Sequence, residues 1–196
     1  MRTIRFITTA ATATAAALIV TGCSTSDNPQ DGQTASSSQT AADFNRADVT
    51  YARGMTMHHQ QAVEMSDIVL DKSGVDPEVT QLAKDIKKAR GPEITTMQGW
   101  LDDWGRGSMD HESMNGMDGM DGMVSAEDIT ALKQADGPAA STLFLTQMIE
   151  HHEGAVAMAQ QHRKDGKNPE ALKLSSTVIT DQKAEITKMR TMRSGL

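Results

Sequence analysis

The pattern of apolar and polar positions predicts an almost entirely helical chain. Apolar and small residues recur at three- and four-residue spacing from Phe44 to Val69, while Gln60 and Glu64 fall on the opposite face of the same segment. Comparable spacing returns three more times. We therefore expect four long helices, near residues 43–72, 77–103, 138–165 and 169–193.

Helix-boundary signals support this division. Asp76-Pro77 and Asn168-Pro169 each place a capping side chain just before a proline at the first helical position. These two matching starts predict that the second and fourth helices begin in the same way.

Two further positions predict local features. Ser125 and Asp128 form a plausible capping pair, which predicts a short additional helix after Ser125. Pro92 lies within the second predicted helix, so we expect a kink or an interruption at that point.

The two halves of the chain repeat one another. The sequence MTMHHQQAVEM, residues 55–65, returns as MIEHHEGAVAM, residues 148–158. The alignment continues into the next helix of each half, where Glu93 meets Glu185. Two duplicated helical hairpins most simply form an antiparallel four-helix bundle, so the predicted fold class is all-α.

Histidine, methionine and glutamate side chains are predicted to face the bundle interior, because a helix turns by about 100° per residue. A buried glutamate is costly unless it is paired or bound to a cation. The candidate metal-binding residues are His58, His59, His151, His152, Met55, Met65, Met148, Met158, Met97, Met189, Glu93 and Glu185. Single buried histidines and methionines are usually structural, so the metal interpretation depends on the repeated His-His pairs. The glutamates can instead orient the histidines or pair with them as ions.

The segment between the halves, residues 105–124, is rich in methionine and glycine. Glycine at this density disfavours a stable helix, so packing does not explain its methionines. Soft thioethers favour Cu(I), and a histidine in the segment adds an intermediate donor. The candidate ligands here are His111, Met114, Met117, Met120 and Met123. The alternative is a low-complexity linker without a ligand role.

The first 42 residues have the composition of a leader and a tether. Arg2 and Arg5 precede an apolar run that ends at Cys23, so residues 1–22 are expected to be a lipoprotein signal peptide and Cys23 the lipidated residue. Cys23 is the sole cysteine, which excludes an internal disulfide. Residues 23–42 are expected to be a flexible tether, and residues 43–196 the bundle domain. The predicted location is extracytoplasmic, with a lipid anchor in the membrane.

The residues FNRADVTYARGMTMHHQQAVEM and FLTQMIEHHEGAVAM resemble domain-of-unknown-function family 305, secreted bacterial proteins of ferritin-like four-helix architecture. The resemblance extends from Asp43 to about Met192. It implies copper handling by the two His-His pairs and by the methionines of the doubled motif. The family often has proline just before the His pair, where Met57 and Glu150 stand in this chain.

The leading interpretation is a lipid-anchored copper-binding protein that sequesters copper or delivers it to an accepting protein. Cu(I) is favoured, and mixed imidazole and thioether ligands also accommodate Cu(II). The net charge of −7 and the scarcity of aromatic residues argue against nucleic-acid binding. The protein is not expected to be an enzyme. A ferritin-like di-metal oxidase would need a Glu-x-x-His pair in each half, and Glu150 is followed by Glu153 instead. A non-metal interaction module is the remaining alternative.

Overall fold

The computed structural model describes residues 44–107 and 122–196, and the regular structure within these ranges is helical. The four long predicted helices are present, and a short helix follows Ser125 as expected. The helices are α1 (Arg46–Leu70), α2 (Pro77–Asp103), α3 (Ala126–Gln134), α4 (Gly137–Asp165) and α5 (Pro169–Gly195). The predicted all-α class and the four-helix bundle are confirmed. The leader, the tether, Cys23, His111, Met114, Met117 and Met120 lie outside the described residues.

The helix starts follow from local capping. Asn45 begins α1 with a capping box, because its side chain accepts from Asp48 N at 3.1 Å while Asp48 Oδ2 accepts from Asn45 N at 2.7 Å. This cap explains why α1 begins at Arg46 and not at residue 43. Asp76 and Asn168 cap α2 and α5 just before their prolines.

Pro92 does not interrupt α2, so that part of the prediction is wrong. The helix runs without a break from Pro77 to Asp103. Proline removes the hydrogen bond to the carbonyl of the residue four positions earlier, Lys88. Both Lys88 and Pro92 are exposed, so water can satisfy the carbonyl that loses its partner.

The bundle is built from two hairpins. α1 packs most extensively against α2, and α4 against α5, while the contact between α1 and α4 joins the two hairpins. α3 lies against α1 and α4. Among the described helices, none is long and apolar enough to cross a membrane.

The buried apolar residues form two clusters at opposite ends of the bundle. The first core cluster, which includes Val69, Leu82 and Phe144, lies where α1 ends and α2 begins. The second core cluster, which includes Tyr51 and Leu101, lies where α1 begins and α2 ends. The two His-His pairs lie between the clusters along α1 and α4, so a polar layer crosses the middle of the bundle.

The start of α4 depends on a glycine. A Cβ atom on Gly137 would lie 2.2 Å from Ser73 O and 2.3 Å from the carbonyl carbon of Gly74, so the α1–α2 connection would have to move. We expect Gly137→Ala to lower the free energy of unfolding by about 1–3 kcal/mol. Gly99→Ala is the matched control, since nothing lies within 4 Å of its Cβ position on the exposed face of α2. That control should gain about 0.5–1 kcal/mol through helix propensity. Urea unfolding of both variants measures the difference, and equal stabilities would contradict the close approach.

Candidate metal centre

A pair of histidines from different repeats meets at the centre of the bundle. The rings of His58 on α1 and His151 on α4 have centroids 3.8 Å apart and planes inclined at 47°. Both side chains are almost completely buried. Neither ring nitrogen of His151 makes a hydrogen bond of good geometry within residues 44–107 and 122–196. A buried imidazole nitrogen without a donor beside it can offer its lone pair to a cation.

The second histidine of each pair contacts a glutamate. His59 Nε2 lies 2.8 Å from Glu93 Oε2, and His152 Nε2 lies 2.6 Å from Glu185 Oε2. The two contacts occupy equivalent positions of the repeat and join α1 to α2 and α4 to α5. These contacts agree with the alternative in which the glutamates orient the histidines.

Arg90 links the two glutamates. Its Nη1 atom lies 2.9 Å from Glu93 Oε2 and its Nη2 atom 2.5 Å from Glu185 Oε2. The side chain of Arg90 is 1% exposed, whereas Glu93 and Glu185 retain 15% and 21%. A buried guanidinium thus ion-pairs with one carboxylate from each hairpin.

These partners keep both carboxylates ionised. Burial, the largest influence, acts to raise the pKa of Glu185, but the hydrogen bond from His152 and the charge of Arg90 outweigh it, so the pKa falls below its ordinary value. The pKa of Glu93 is lowered in the same way, against burial, by His59 and Arg90. Two negative charges therefore remain next to the polar layer at neutral pH.

Three of the central histidines are held neutral. Burial lowers the pKa of His151 well below its ordinary value, and the neighbouring imidazoles, His58 first among them, lower it further. Burial also lowers the pKa of His59 and of His152, although the adjacent glutamates oppose this. Neutral imidazole is the form that binds metal ions.

The glutamate contacts also select a tautomer. An ionised carboxylate accepts a hydrogen bond from the Nε2–H group, so Nδ1 is the nitrogen that keeps its lone pair. Nδ1 of His152 is buried and has no hydrogen-bond partner in the described part of the chain. The ring of His152 lies 6.0 Å from that of His151, measured between centroids. The ring nitrogens that could donate a lone pair to a metal ion therefore lie on the neighbouring rings of His151 and His152.

The predicted methionine ligands lie on both sides of this layer. Met65, Met148 and Met189 belong to the first core cluster. Met55, Met97 and the partly buried Met158 belong to the second or pack against it. The repeat pairs Met55 with Met148, Met65 with Met158 and Met97 with Met189. In each pair, one methionine belongs to the first core cluster and the other belongs to the second or packs against it. Met55 and Met148 also precede His58 and His151 by one helical turn, which places them on the same helix face.

The end of the methionine-rich segment is attached next to the histidines. Gln61, three residues after His58, accepts from Val124 N at 2.8 Å and donates to Val124 O at 2.9 Å. A Cβ atom on Gly122 would lie 2.6 Å from Gly154 Cα, so this end of the segment packs closely on α4. Met123 lies between these two attachment points and is partly buried.

A second buried polar cluster lies away from this layer and was not predicted from the sequence. Asp48 accepts from His162 Nε2 at 2.8 Å, and His162 Nδ1 lies 2.6 Å from Ser175 Oγ. The ring of Tyr51 stacks on His162, with 4.1 Å between centroids. These contacts connect α1, α4 and α5. Because Asp48, His162 and Ser175 are all buried, the cluster offers no accessible nucleophile.

Arg90 was also missed, although the sequence contains a signal for it. Leu82, Ile86, Arg90 and Met97 follow one another at helical spacing, so Arg90 stands on the apolar face of α2. A long cation on a buried face requires a partner. The repeat-related glutamates were the partners available.

The donor set fits a soft cation better than a hard one. Within the described ranges, no group of three or more His, Cys, Asp or Glu side chains is arranged to hold a metal ion. The carboxylates are bound by Arg90, which leaves neutral imidazoles flanked by thioethers. Such ligands select Cu(I) over oxygen-seeking ions such as Mg²⁺ or Mn²⁺.

The fold and this layer define the class as a duplicated four-helix bundle with an imidazole- and thioether-rich interior. The chain belongs to the family described as Domain of unknown function (DUF305), whose family model matches residues 48–193. No curated protein sequence matches the chain significantly.

Several solved structures are similar to this chain in sequence and fold. A DUF305 protein from Streptomyces coelicolor, named as a candidate secreted protein, is 36% identical, with 74% of this chain and 91% of that chain covered and a TM-score of 0.67. A DUF305 fragment from Deinococcus radiodurans is 28% identical, with coverages of 78% and 98% and a TM-score of 0.70. CopM in its Cu(I)-bound form is 30% identical, with coverages of 76% and 96% and a TM-score of 0.63. CopM structures in Cu(II)-bound and Ag-bound forms are also similar to this chain.

Proposed function

We propose that this protein binds copper, with Cu(I) favoured, and that it sequesters the ion or delivers it to an accepting protein. The central observation is the contact between His58 and His151, two buried imidazoles from different repeats whose ring centroids are 3.8 Å apart. The lowered pKa of His151 keeps that ring neutral, and neutral imidazole is a ligand for both oxidation states of copper. The similarity to CopM, which is known in copper- and silver-bound forms, supports the same conclusion.

The proposed ligands are the central imidazoles and the methionines next to them. His58, His59, His151 and His152 supply nitrogen, and Met55 and Met148 supply sulfur from the preceding turn of each helix. Met65, Met97, Met158 and Met189 extend the thioether surroundings on both sides of the layer. Glu93 and Glu185 act through the histidines by fixing their tautomers.

The methionine-rich segment is proposed to capture copper before the bundle binds it. Its described end is attached to Gln61 and packs against Gly154, and each of these residues follows a central histidine by three positions. This attachment keeps Met123 beside the seam between α1 and α4. An ion held by the thioethers of the segment would therefore be released close to the imidazole layer.

The protein is proposed to act outside the cytoplasmic membrane, with lipidated Cys23 as its anchor and residues 23–42 as the tether. The sequence of residues 1–22 and the absence of any other cysteine support this proposal. Thioether ligands suit such a location, because they do not form disulfides in an oxidising compartment.

The copper proposal predicts a large loss of affinity when the central pair is removed. We expect the double variant His58→Gln, His151→Gln to bind Cu(I) at least about 100-fold more weakly, since even the loss of an outer partner typically costs 10–100-fold. Titration of the purified bundle domain with Cu(I) against a competing chelator measures the affinity.

His162→Gln is the matched control. This substitution removes a buried imidazole from α4, the helix that also carries His151. The ring of His162 contacts Asp48 and Ser175 and not the central pair. The control should keep the wild-type Cu(I) affinity. Equal affinities for the wild type and the double variant, with both folded by circular dichroism, would remove the central site from the copper proposal.

A further inference from the structure

Arg90 connects residues from all four long helices. His59 on α1 contacts Glu93 on α2, and His152 on α4 contacts Glu185 on α5. The guanidinium of Arg90 lies between the two glutamates, with contacts of 2.9 and 2.5 Å to the same oxygens that the histidines contact. A guanidinium is a rigid planar fork, so one cation fixes both carboxylates relative to each other.

The repeat is asymmetric at this position. The alignment that pairs Glu93 with Glu185 also pairs Arg90 with Gln182. Gln182 is buried as well, with 1% of its surface exposed. One half of the chain therefore supplies a cation and the other half a neutral amide. A single arginine serves the carboxylates of both halves.

The charge balance around Arg90 suits a monovalent ion. With neutral histidines, the guanidinium and the two carboxylates carry a net charge of −1, which one Cu(I) or Ag(I) ion in the adjacent layer would neutralise. Without Arg90 the net charge would be −2. The polar layer would then offer two carboxylates and two imidazoles from four helices. Zn²⁺ and Mn²⁺ bind through carboxylate and imidazole ligands of this kind.

We propose that Arg90 determines the cation selectivity of the bundle. Its guanidinium lies between Glu93 and Glu185, contacts the oxygen of each carboxylate that a divalent ion would need, and cancels the second negative charge. Ferritin-like bundles hold two metal ions through inward-facing carboxylates and histidines, and Arg90 replaces that chemistry with an internal ion pair. The inference rests on the proposed copper function for the identity of the preferred ion, whereas the exclusion of divalent ions is measured separately.

The test is the substitution Arg90→Gln, which makes the two halves alike at this position. We expect the purified variant to bind Zn²⁺ and Mn²⁺ at least tenfold more tightly than the wild type, measured by calorimetry with each metal alone. Its preference for Ag(I) over Zn²⁺ should fall by at least tenfold. Arg190→Gln is the matched control, because Arg190 forms an exposed ion pair with Glu153 and the change in net charge is the same. That control should bind divalent ions as the wild type does.

Arg90→Lys separates charge from shape. The lysine keeps a cation between the carboxylates, so this variant should exclude Zn²⁺ and Mn²⁺ as the wild type does. Divalent binding by Arg90→Lys equal to that of Arg90→Gln would overturn the proposal, as would a folded Arg90→Gln that gains no divalent binding.

An unfolded Arg90→Gln would also be informative. Circular dichroism in chelator shows whether the variant folds without metal. If it does not, Zn²⁺ or Mn²⁺ should restore the helical signal, and failure of both ions to do so would overturn the proposal. If the wild type does not bind Cu(I), that result would contradict the proposed function but not the exclusion of divalent ions by Arg90.

Discussion

Asp48→Asn is expected to lower the free energy of unfolding by about 3–5 kcal/mol, because hydrogen bonds to a charged group contribute about 1.5–3 kcal/mol each and the substitution weakens several of them. Asp48 is completely buried and its carboxylate accepts hydrogen bonds from the His162 ring and from three backbone N–H groups, those of Asn45, Lys167 and Asn168. An asparagine has a single acceptor oxygen, and its NH₂ group would face these donors. At least one buried donor would then lose its partner.

The position of Asp48 explains why this effect should spread beyond one helix. The residue closes the capping box of α1 and also holds the connection between α4 and α5 through Lys167 and Asn168. Burial, the largest influence, acts to raise the pKa of Asp48, but the hydrogen bonds, that of His162 first, lower it overall. The carboxylate is therefore ionised in the folded protein, and its charge strengthens each hydrogen bond that it accepts.

Asp76→Asn is the matched control for this substitution. Asp76 caps α2 by accepting from Glu78 N at 2.8 Å and Val79 N at 3.2 Å. Asparagine caps helices as well as aspartate does, so the control should change stability by less than about 0.5 kcal/mol. Thermal unfolding should separate the two variants by roughly 6–20 °C, given the size of the domain. Melting of Asp48→Asn within about 2 °C of the wild type would contradict the role assigned to this carboxylate.

The sequence predicts the helices well because their signals are local. Capping residues, prolines at the first helical position and the apolar spacing all act within a few residues of each helix boundary. The duplication then indicates which helices form hairpins and which side chains are equivalent. The choice of His58, His59, His151 and His152 as central residues depends on these two kinds of information. The structure brings all four into one layer.

The partners across helices are less predictable. Helical spacing places Arg90, Glu93 and Glu185 on buried faces, but it does not say which of them meet. The sequence therefore left open whether the glutamates bind metal or orient the histidines. In the structure both glutamates contact Arg90, a partner that helical spacing alone does not identify. The link between Asp48 and His162 spans 114 residues and follows no local pattern, and the role of Asp48 in the capping box gives no sign of it.

The burial of the central layer has a consequence for stability in acid. The pKa values of His59, His151 and His152 are all lowered in the folded protein, chiefly by burial. Below about pH 6.5, the ordinary value for histidine, the unfolded chain takes up protons that the folded chain does not. Stability must then fall as the pH falls, by up to about 1.4 kcal/mol per pH unit for each such histidine. Above that pH these groups are neutral in both states and add no slope.

The glutamates extend this loss to lower pH. The lowered pKa values of Glu93 and Glu185 mean that their ionised forms stabilise the fold above about pH 4.5 and that this contribution is lost below it. Arg90 stays charged throughout, so protonation of the carboxylates would leave a buried guanidinium without an anionic partner.

We therefore expect the metal-free protein to lose roughly 1–3 kcal/mol of unfolding free energy between pH 6.5 and pH 5.5. Urea unfolding in the presence of a chelator at these two pH values measures the loss. His151→Gln should reduce this loss by up to about 1 kcal/mol, because it removes the titrating group whose pKa burial and the neighbouring imidazoles lower most strongly. An unchanged loss in this variant would mean that the buried ring of His151 is not held neutral by its surroundings. Neutrality is the property that makes the ring a copper ligand, so the same result would weaken the proposed site independently of any metal titration.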